Sequence, residues 1–418
     1  MNNKVLIIGL IWPEPLATAA GSRMIELIDF LLKQGYELSF ASAASRSDLS
    51  YDFSELPVSC IDIELNSSSF DADLKKLNPG MVIFDRFLTE EQYGWRVQQT
   101  CPGAIRILDT EDLHFLRKSR EMAIKQGSDD WMKFIQNDTA KREIASIFRS
   151  DLSLIISKFE VDLLQNVFNI PESLLLYLPF LKGIEKDVNM HPIPGYDQRL
   201  NFMCIGNFKH KPNLDAVFYL QSEIWPLIRN ELPQAELHIY GAYASEAITQ
   251  LNNKNTGFLI KGWIEHKREA FVNYRICLAP LRFGAGQKGK LLDAMIYGTP
   301  SVTTSIGSEG MSASEEWNGF IEDQPGAYAS KAVLLYQDKL LWDNAQKKGF
   351  DLISQNFDKD SFERRLAFKL EELSNKLQAH RASNFIGNML SHHTMKSTKY
   401  LSKWIELKNL TNNNIVNK

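Results

Sequence analysis

"RFGAGQKGKLLDAM", residues 282–295, is the stretch on which the reading of this chain turns. Read as Gly284-x-x-x-x-Gly289-Lys290, it comes within one residue of the loop that cradles nucleoside triphosphates, but the next position is Leu291. Such a loop needs a Ser or Thr after its lysine to hold Mg²⁺, and a leucine side chain cannot ligate a metal. Leu291 and Leu292 instead open the helical run "KLLDAMIYG", where they serve packing. What remains is the physics common to these loops. Gly284, Gly286 and Gly289 let backbone N–H groups approach a ligand without a Cβ in the way, and the helix that follows points its positive end at the same place. Lys288, Lys290 and Arg282 add full positive charges. The combination favours an anion such as a diphosphate. A glycine-rich turn with solvated lysines is the other reading of the stretch alone. Its position directly after the apolar run "CLAPL", at the end of an expected strand, favours the first.

Outward from this loop, the chain repeats one architectural unit. "KVLIIG" (4–9) reads as a buried strand, "RMIELIDFLLKQG" (23–35) as a helix with apolar residues three and four apart, and "YELSFAS" (36–42) as the next strand. Gly35 stands where a helix C-cap belongs. Further strands are expected at 80–85, 104–109 and 152–157, and a second series at 200–206, 235–241, 257–263, 276–281 and 300–305. Strands alternating with helices imply parallel sheets covered on both faces. The expected fold is therefore α/β, with two doubly wound Rossmann-like domains facing each other across a cleft at the carboxyl ends of their strands. The expected boundaries are 1–185, a linker at 186–199 within the proline-containing stretch 181–199, a second domain at 200–355, and a helix at 356–378 packing back on the first domain. A basic helical tail, 379–418, has six Lys or Arg against the single Glu406. Its apolar residues are expected to face either the protein's own body or a membrane surface or another protein.

Composition narrows the classes. At 418 residues, with 44% hydrophobic and 23% charged residues, the chain is an ordinary globular sequence long enough for two cores. A net charge of −4 provides no bulk attraction for nucleic acid or anionic lipid, so no nucleic-acid partner is expected. The four cysteines are spaced too widely for a zinc or redox pair, and a reducing compartment fits them. "ATAA" (17–20) after an apolar run mimics a secretory signal, but Gly9, Pro13, Glu14 and Pro15 interrupt that pattern. A cytoplasmic location, free or peripheral at a membrane, is the expectation.

The longer stretch "APLRFGAGQKGKLLDAMIYGTPSVTTSIGSEGM" (279–311) resembles the donor-binding segment of retaining, family 4-type GT-B glycosyltransferases (glycosyl transferases group 1). Supporting stretches are "FMCIGNFKHKPNLDAV", "ELHIYGAY", "LIKGWIE", "DTEDLHFLRKSRE" and "LSLIISKFEVDLL", so the resemblance covers about 4–375. It implies transfer of a sugar from a UDP- or GDP-sugar to a glycan, lipid-linked or protein hydroxyl, without a metal or other cofactor.

Position by position, the resemblance makes Asp293 the acceptor of the donor's ribose hydroxyls. It assigns Gly284, Gly286, Gln287, Gly289 and Lys290 to the donor loop, in its GAGxKGK variant. Lys288, with Arg282 behind it, falls to the leaving diphosphate, and Gly307, Ser308 and Glu309 to a glycine turn near the phosphates. For Glu309 a plain helix-terminal carboxylate is an equal reading. Gly21 and Arg23 fall in the first domain's glycine turn, His114 beside the donor sugar, and Asp109 and Asp112 near sugar or acceptor. Asn207 and Lys211 are secondary candidates for the phosphate clamp. Ala285 stands where the family usually has a glutamate facing the hexose. Two other readings stay open: a catalytically silent GT-B-like binding or scaffold protein, and a sugar-nucleotide epimerase on the same fold.

Overall fold

A computed structural model of the chain describes residues 2–182, 192–311 and 316–416. Residues 186–191 of the expected linker therefore lie outside the described residues. The first lobe is a seven-stranded parallel sheet in the order β3-β2-β1-β4-β5-β6-β7. Its strands are β1 (Lys4–Gly9), β2 (Glu37–Ser42), β3 (Val58–Asp62), β4 (Met81–Asp85), β5 (Ile105–Asp109), β6 (Leu152–Ile155) and β7 (Leu175–Tyr177). The second lobe is a six-stranded parallel sheet in the order β10-β9-β8-β11-β12-β13. Here the strands are β8 (Leu200–Ile205), β9 (Leu237–Tyr240), β10 (Phe258–Gly262), β11 (Tyr274–Ala279), β12 (Ser301–Thr303) and β13 (Gly319–Ile321).

The central strands are apolar throughout because helices cover both of their faces. Val5, Leu6, Ile7 and Ile8 are all buried, and alternate residues serve opposite cores: Leu6 and Ile8 one, Val5 and Ile7 the other. The strand order reverses between β1 and β4 in one lobe and between β8 and β11 in the other. These two switch points face each other, and the loops leaving β1, β4, β5, β8, β9 and β11 line the space between them. Helix α1 (Ala19–Lys33) begins inside the stretch that mimics a signal cleavage site. Thr18 caps it by accepting the Gly21 N–H at 2.9 Å. At its end Gly35, at φ +80°, makes the left-handed turn that stops the helix.

Seven further helices matter below: α2 (Arg86–Thr100), α3 (His114–Lys125), α4 (Asp138–Arg149), α5 (Lys158–Phe168), α6 (Gly289–Ile296), α7 (Lys359–Ser383) and α8 (Phe385–Val416). Although α7 follows the second lobe in sequence, its Leu366, Leu370, Leu373 and Leu377 are buried in the first lobe's core beside Leu27 and Leu31. It straps the two lobes into one body. The three strands that sequence patterning passes over are β3, β7 and β13. The first is a half-exposed edge strand with no buried residue, and the others are three residues long.

Candidate functional site

A cleft of about 620 Å³ lies between the lobes. From the second lobe it is lined by Gly284, Ala285, Gln287, Lys288, Gly289, Lys290 and Asp293, all on the loop and helix that follow β11. The order is a direct consequence of local structure. β11 ends at Ala279, the loop crosses the cleft edge, and α6 starts at Gly289 with no carboxylate in its first turn, so its N-terminal positive end stays uncompensated there. The Lys290 ammonium donates to Asn213 Oδ1 at 2.7 Å and pairs with no carboxylate among the described residues. Burial lowers its pKa. Lys288 donates to the Gly286 carbonyl at 2.7 Å. Burial brings it down to about 8 against the pull of Glu309, and Arg120 pushes the same way as burial. Asp293 sits one turn into α6, paired with Lys182 at 2.5 Å and Lys267 at 3.7 Å. Although burial works against its charge, those two ammonium groups hold its carboxyl below the usual range.

Glycine is required at two of the expected positions. Gly286 has φ +65°, and a Cβ there would stand 2.9 Å from Asp112 Cβ. At Gly289 a Cβ would stand 2.8 Å from Ala19 Cβ of the first lobe. The loop is thus pressed against the opposite lobe, and the contacts are polar as well as steric. Gly286 N–H donates to Glu160 Oε1 at 2.8 Å, and Arg120 donates to the Gly284 carbonyl at 2.8 Å. Gln287 donates to Tyr177 Oη and to the Gly310 carbonyl.

Several expected residues are elsewhere. Arg282 does not line the cleft: it pairs with Asp215 and stacks over Tyr219 on the exposed side of the loop. Nor do Gly307, Ser308 and Glu309. Glu309 forms a two-oxygen ion pair with Arg120 at 2.9 and 2.6 Å, so it latches the lobes together instead of meeting phosphates. Gly307 packs so closely on Thr303 that a Cβ would fall 1.9 Å from its Oγ1, and Ser308 bonds back to Thr304 and Ser305. Gly21 lies against the Glu14 backbone, where a Cβ would stand at 2.5 Å, and so holds the exit loop of β1 on α1. Arg23 is buried, bonded to Asp109 and to the Leu178 and Pro179 carbonyls; the pair it makes with Asp109 at 3.0 Å takes both out of the cleft. Of the secondary candidates, Asn207 lines the cleft, whereas Lys211 pairs with Glu121 at 3.1 Å.

On the first-lobe side, Asp112 and His114 do reach the cleft. Burial opposes the charge on Asp112, but the Arg117 guanidinium, which donates to it, outweighs burial and keeps the carboxylate ionised. Burial pushes His114 down to about 3, so it is a neutral imidazole at any ordinary pH. Beside them stand two residues that sequence reading passes over. Arg86 and Glu111 directly or nearly directly follow β4 and β5, and both adopt left-handed backbone, at φ +68° and +63°. Non-glycine residues persist in that region only where the surroundings impose it, and they concentrate at functional sites. Both line the cleft, and Glu111 Oε1 is buried there without a hydrogen-bond partner. Burial, reinforced by Asp109, raises the Glu111 carboxyl well above its usual range. Lys209 over Tyr243, Lys267 and His210 complete a cationic and imidazole-rich wall. No group of three or more metal-ligating side chains occurs among the described residues.

Two Rossmann-like lobes with their switch points opposed across a cleft define the GT-B architecture. Residues 199–338 match the model of the family described as Glycosyl transferases group 1. The full architecture is similar to that of a sucrose-phosphate synthase from Thermosynechococcus elongatus, at 14% identity and a TM-score of 0.66, over 88% of this chain and 98% of that one. It is also similar to HepE of Anabaena, solved in complex with UDP and glucose, at 13% identity and a TM-score of 0.61, over 88% of this chain and 99% of that one. In sequence, an uncharacterised 44.6 kDa protein from the cps region of Klebsiella pneumoniae is 26% identical over 229 residues, 52% of this chain. The match spans 55% of that relative's length.

Proposed function

We propose that this chain transfers a sugar from a nucleoside-diphosphate sugar to a hydroxyl acceptor, with retention of anomeric configuration and without a metal ion. The observation that carries this reading is the placement of Lys290, Lys288 and the N-terminus of α6 on one wall of the inter-lobe cleft, with Asp293 one turn further along the helix. Breaking the bond between the anomeric carbon and the diphosphate leaves negative charge on phosphate. Preorganised amides and ammonium groups stabilise that charge where it develops. Asp293 is a carboxylate acceptor suited to the ribose hydroxyls, and this use requires it to exchange part of its pairing with Lys182 and Lys267. On the opposite wall His114, neutral, can bond a sugar hydroxyl, while Arg86 and Glu111, whose carboxyl burial raises, face the space left for sugar and acceptor. Contacts that hold the lobes together exclude water and so limit hydrolysis of the donor. The setting is a cytoplasmic one, in glycan or polysaccharide assembly.

A catalytically silent binding protein is the second reading. Ala285 favours it, because an apolar side chain faces the cleft where the resembled family carries a glutamate. The discriminating experiment measures release of nucleoside diphosphate from a panel of UDP- and GDP-sugars, with and without acceptor extracts, alongside the thermal shift each donor produces. Acceptor-dependent release abolished by Lys288→Ala supports transfer. A donor-induced thermal shift with no release under any acceptor supports the silent reading, and neither signal removes both.

A further inference from the structure

The last helix, α8, is inside out by the rule that governs surface helices. Among its described side chains the fully buried ones are small or polar, Gly387, Ser391 and Ser402, with Leu390 half-buried against the first lobe's core, and a Cβ on Gly387 would fall 2.1 Å from the Phe148 carbonyl. Arg96 on α2 donates to Ser402 Oγ at 3.3 Å, and the Ser68 N–H donates to Glu406 at 2.8 Å. Most of the large apolar side chains point away from these contacts. Phe385 is 75% exposed, Tyr400 66%, Leu407 64% and Trp404 58%. At 3.6 residues per turn, Phe385, Met389, Lys396, Tyr400, Lys403 and Leu407 fall within a sector of about 60°. Exposed apolar clusters at Phe385–Met389 and at Tyr400–Leu407, aligned on one side of a helix, mark an interaction surface.

We propose that this face of α8 lies on an anionic lipid surface. The charge on the face selects the occupant. Lys396 and Lys403 stand within the sector, Lys399 and Lys408 flank it on either side, and the one carboxylate of the helix, Glu406, is turned toward Ser68. A second copy of the chain is a poor fit, because a self-complementary contact sets this unneutralised lysine row against itself. A protein partner is also a poor fit, since the buried centre of a protein interface is depleted in lysine. At a bilayer surface the same mixture is favourable: apolar and aromatic side chains enter the headgroup boundary while lysine stems lie along it with their ammonium groups among lipid phosphates. Lys408 over the Trp404 ring, at 5.2 Å, already shows an ammonium beside the aromatic it would accompany. The attraction is local and does not need a basic protein; the net charge of −4 belongs to the whole chain, whereas α8 has four lysines against one carboxylate.

The test is co-sedimentation of the full chain with vesicles of phosphatidylcholine alone and of phosphatidylcholine with phosphatidylglycerol, at low and high salt. Binding to the mixed vesicles is expected to exceed binding to neutral ones by about tenfold or more and to weaken in salt. Trp404→Ser with Leu407→Ser, and separately Lys396→Gln with Lys403→Gln, should each reduce it severalfold. All four side chains are exposed, so circular dichroism and melting temperature should not change, and neither should the thermal shift given by a nucleotide sugar. Three outcomes overturn the proposal: equal binding to neutral and anionic vesicles, binding that neither double variant weakens, or no vesicle binding together with self-association that Trp404→Ser abolishes. None of these depends on whether the cleft transfers sugar.

Discussion

The two walls of the cleft carry comparable chemistry but assemble it differently. On the second-lobe wall, Gly284 to Asp293 come from one continuous loop and the first turns of one helix, and seven of those ten residues face the cleft. On the first-lobe wall, Arg86, Glu111, Asp112, His114 and Arg117 come from the ends of β4 and β5 and the start of α3. Parallel pairing of those strands, with Asp85 beside Asp109 in register, brings them together. A site written on one segment can be recognised by its spacing. A site assembled by sheet order exists only after the sheet does. The division also assigns labour: the continuous wall is suited to the constant part of a donor, its diphosphate, and the assembled wall to the variable part, sugar and acceptor.

The sharpest way to break this division is to remove the cations of the continuous wall. Lys290→Ala, or Lys288→Ala, should lower kcat by roughly 100- to 1000-fold, the effect of losing one well-placed donor to developing charge. The measurement is acceptor-dependent release of nucleoside diphosphate. A loss below about tenfold for both variants would mean that the diphosphate lies elsewhere.

The pH dependence follows from the same wall. Lys288 is brought down to about 8 by burial, so its ammonium is complete below that pH and is lost as pH rises through it. Since kcat/KM reports the free enzyme, it should bend downward near pH 8 and fall by about tenfold for each further unit. His114, brought down to about 3, adds no limb near the usual histidine value. An acidic limb near 6.5 that disappeared in His114→Ala would contradict its neutral assignment.

On the assembled wall the expected effects are smaller and can be separated. Arg86→Ala removes a cation and leaves the buried Asp85 carboxylate without its 3.1 Å partner while the left-handed backbone at φ +68° stays as strained as before, so activity should fall about tenfold with a loss of stability on the order of 1 kcal/mol or more. Arg86→Gly relieves the backbone while still removing the charge, so stability should recover in part and activity should not. Burial, reinforced by Asp109, favours the neutral form of the Glu111 carboxyl. Glu111→Gln, neutral and similar in shape, should therefore stay within about threefold of the parent, whereas Glu111→Ala should fall by about tenfold. If Gln and Ala were equally damaging, an ionised Glu111 would be indicated and the raised pKa refuted.

Legibility in the sequence follows the same line. The α/β class and both central strand series are visible because buried parallel strands are unbroken apolar runs, and "KVLIIG" and "LNFMCIG" could be little else. The loop of 284–293 is visible because its glycines and lysines are contiguous. Arg86 and Glu111 left no trace, since a left-handed backbone at a non-glycine residue has no spacing signature. Arg23 and Asp109 misled for the opposite reason. Each is a charged residue at an element end near the cleft, but their mutual ion pair inside the lobe is visible only in three dimensions. Glu309 was open to two readings, and its partner, Arg120, lies 189 residues away.

Arg282 provides the smallest effect and a strict control. It stands two residues before Gly284, carries the same charge as the two lysines, and by sequence alone is a member of the same cradle. In three dimensions its guanidinium is on the other side of the loop, pairing with Asp215 and stacked 4.8 Å from the Tyr219 ring centroid, with 39% of its side chain exposed. An exposed ion pair of this kind contributes about 0 to 1 kcal/mol. Arg282→Ala should accordingly change melting temperature by a few degrees at most and kcat/KM by less than about twofold. Were it to match the lysine variants, the loop would have to turn over when the donor binds, and the wall drawn from Lys288 and Lys290 would describe only one of its two conformations. Asp215→Ala separates the two cases: a loop held outward by the Arg282 pair should then bind donor more tightly, whereas a loop that never turns should bind it unchanged.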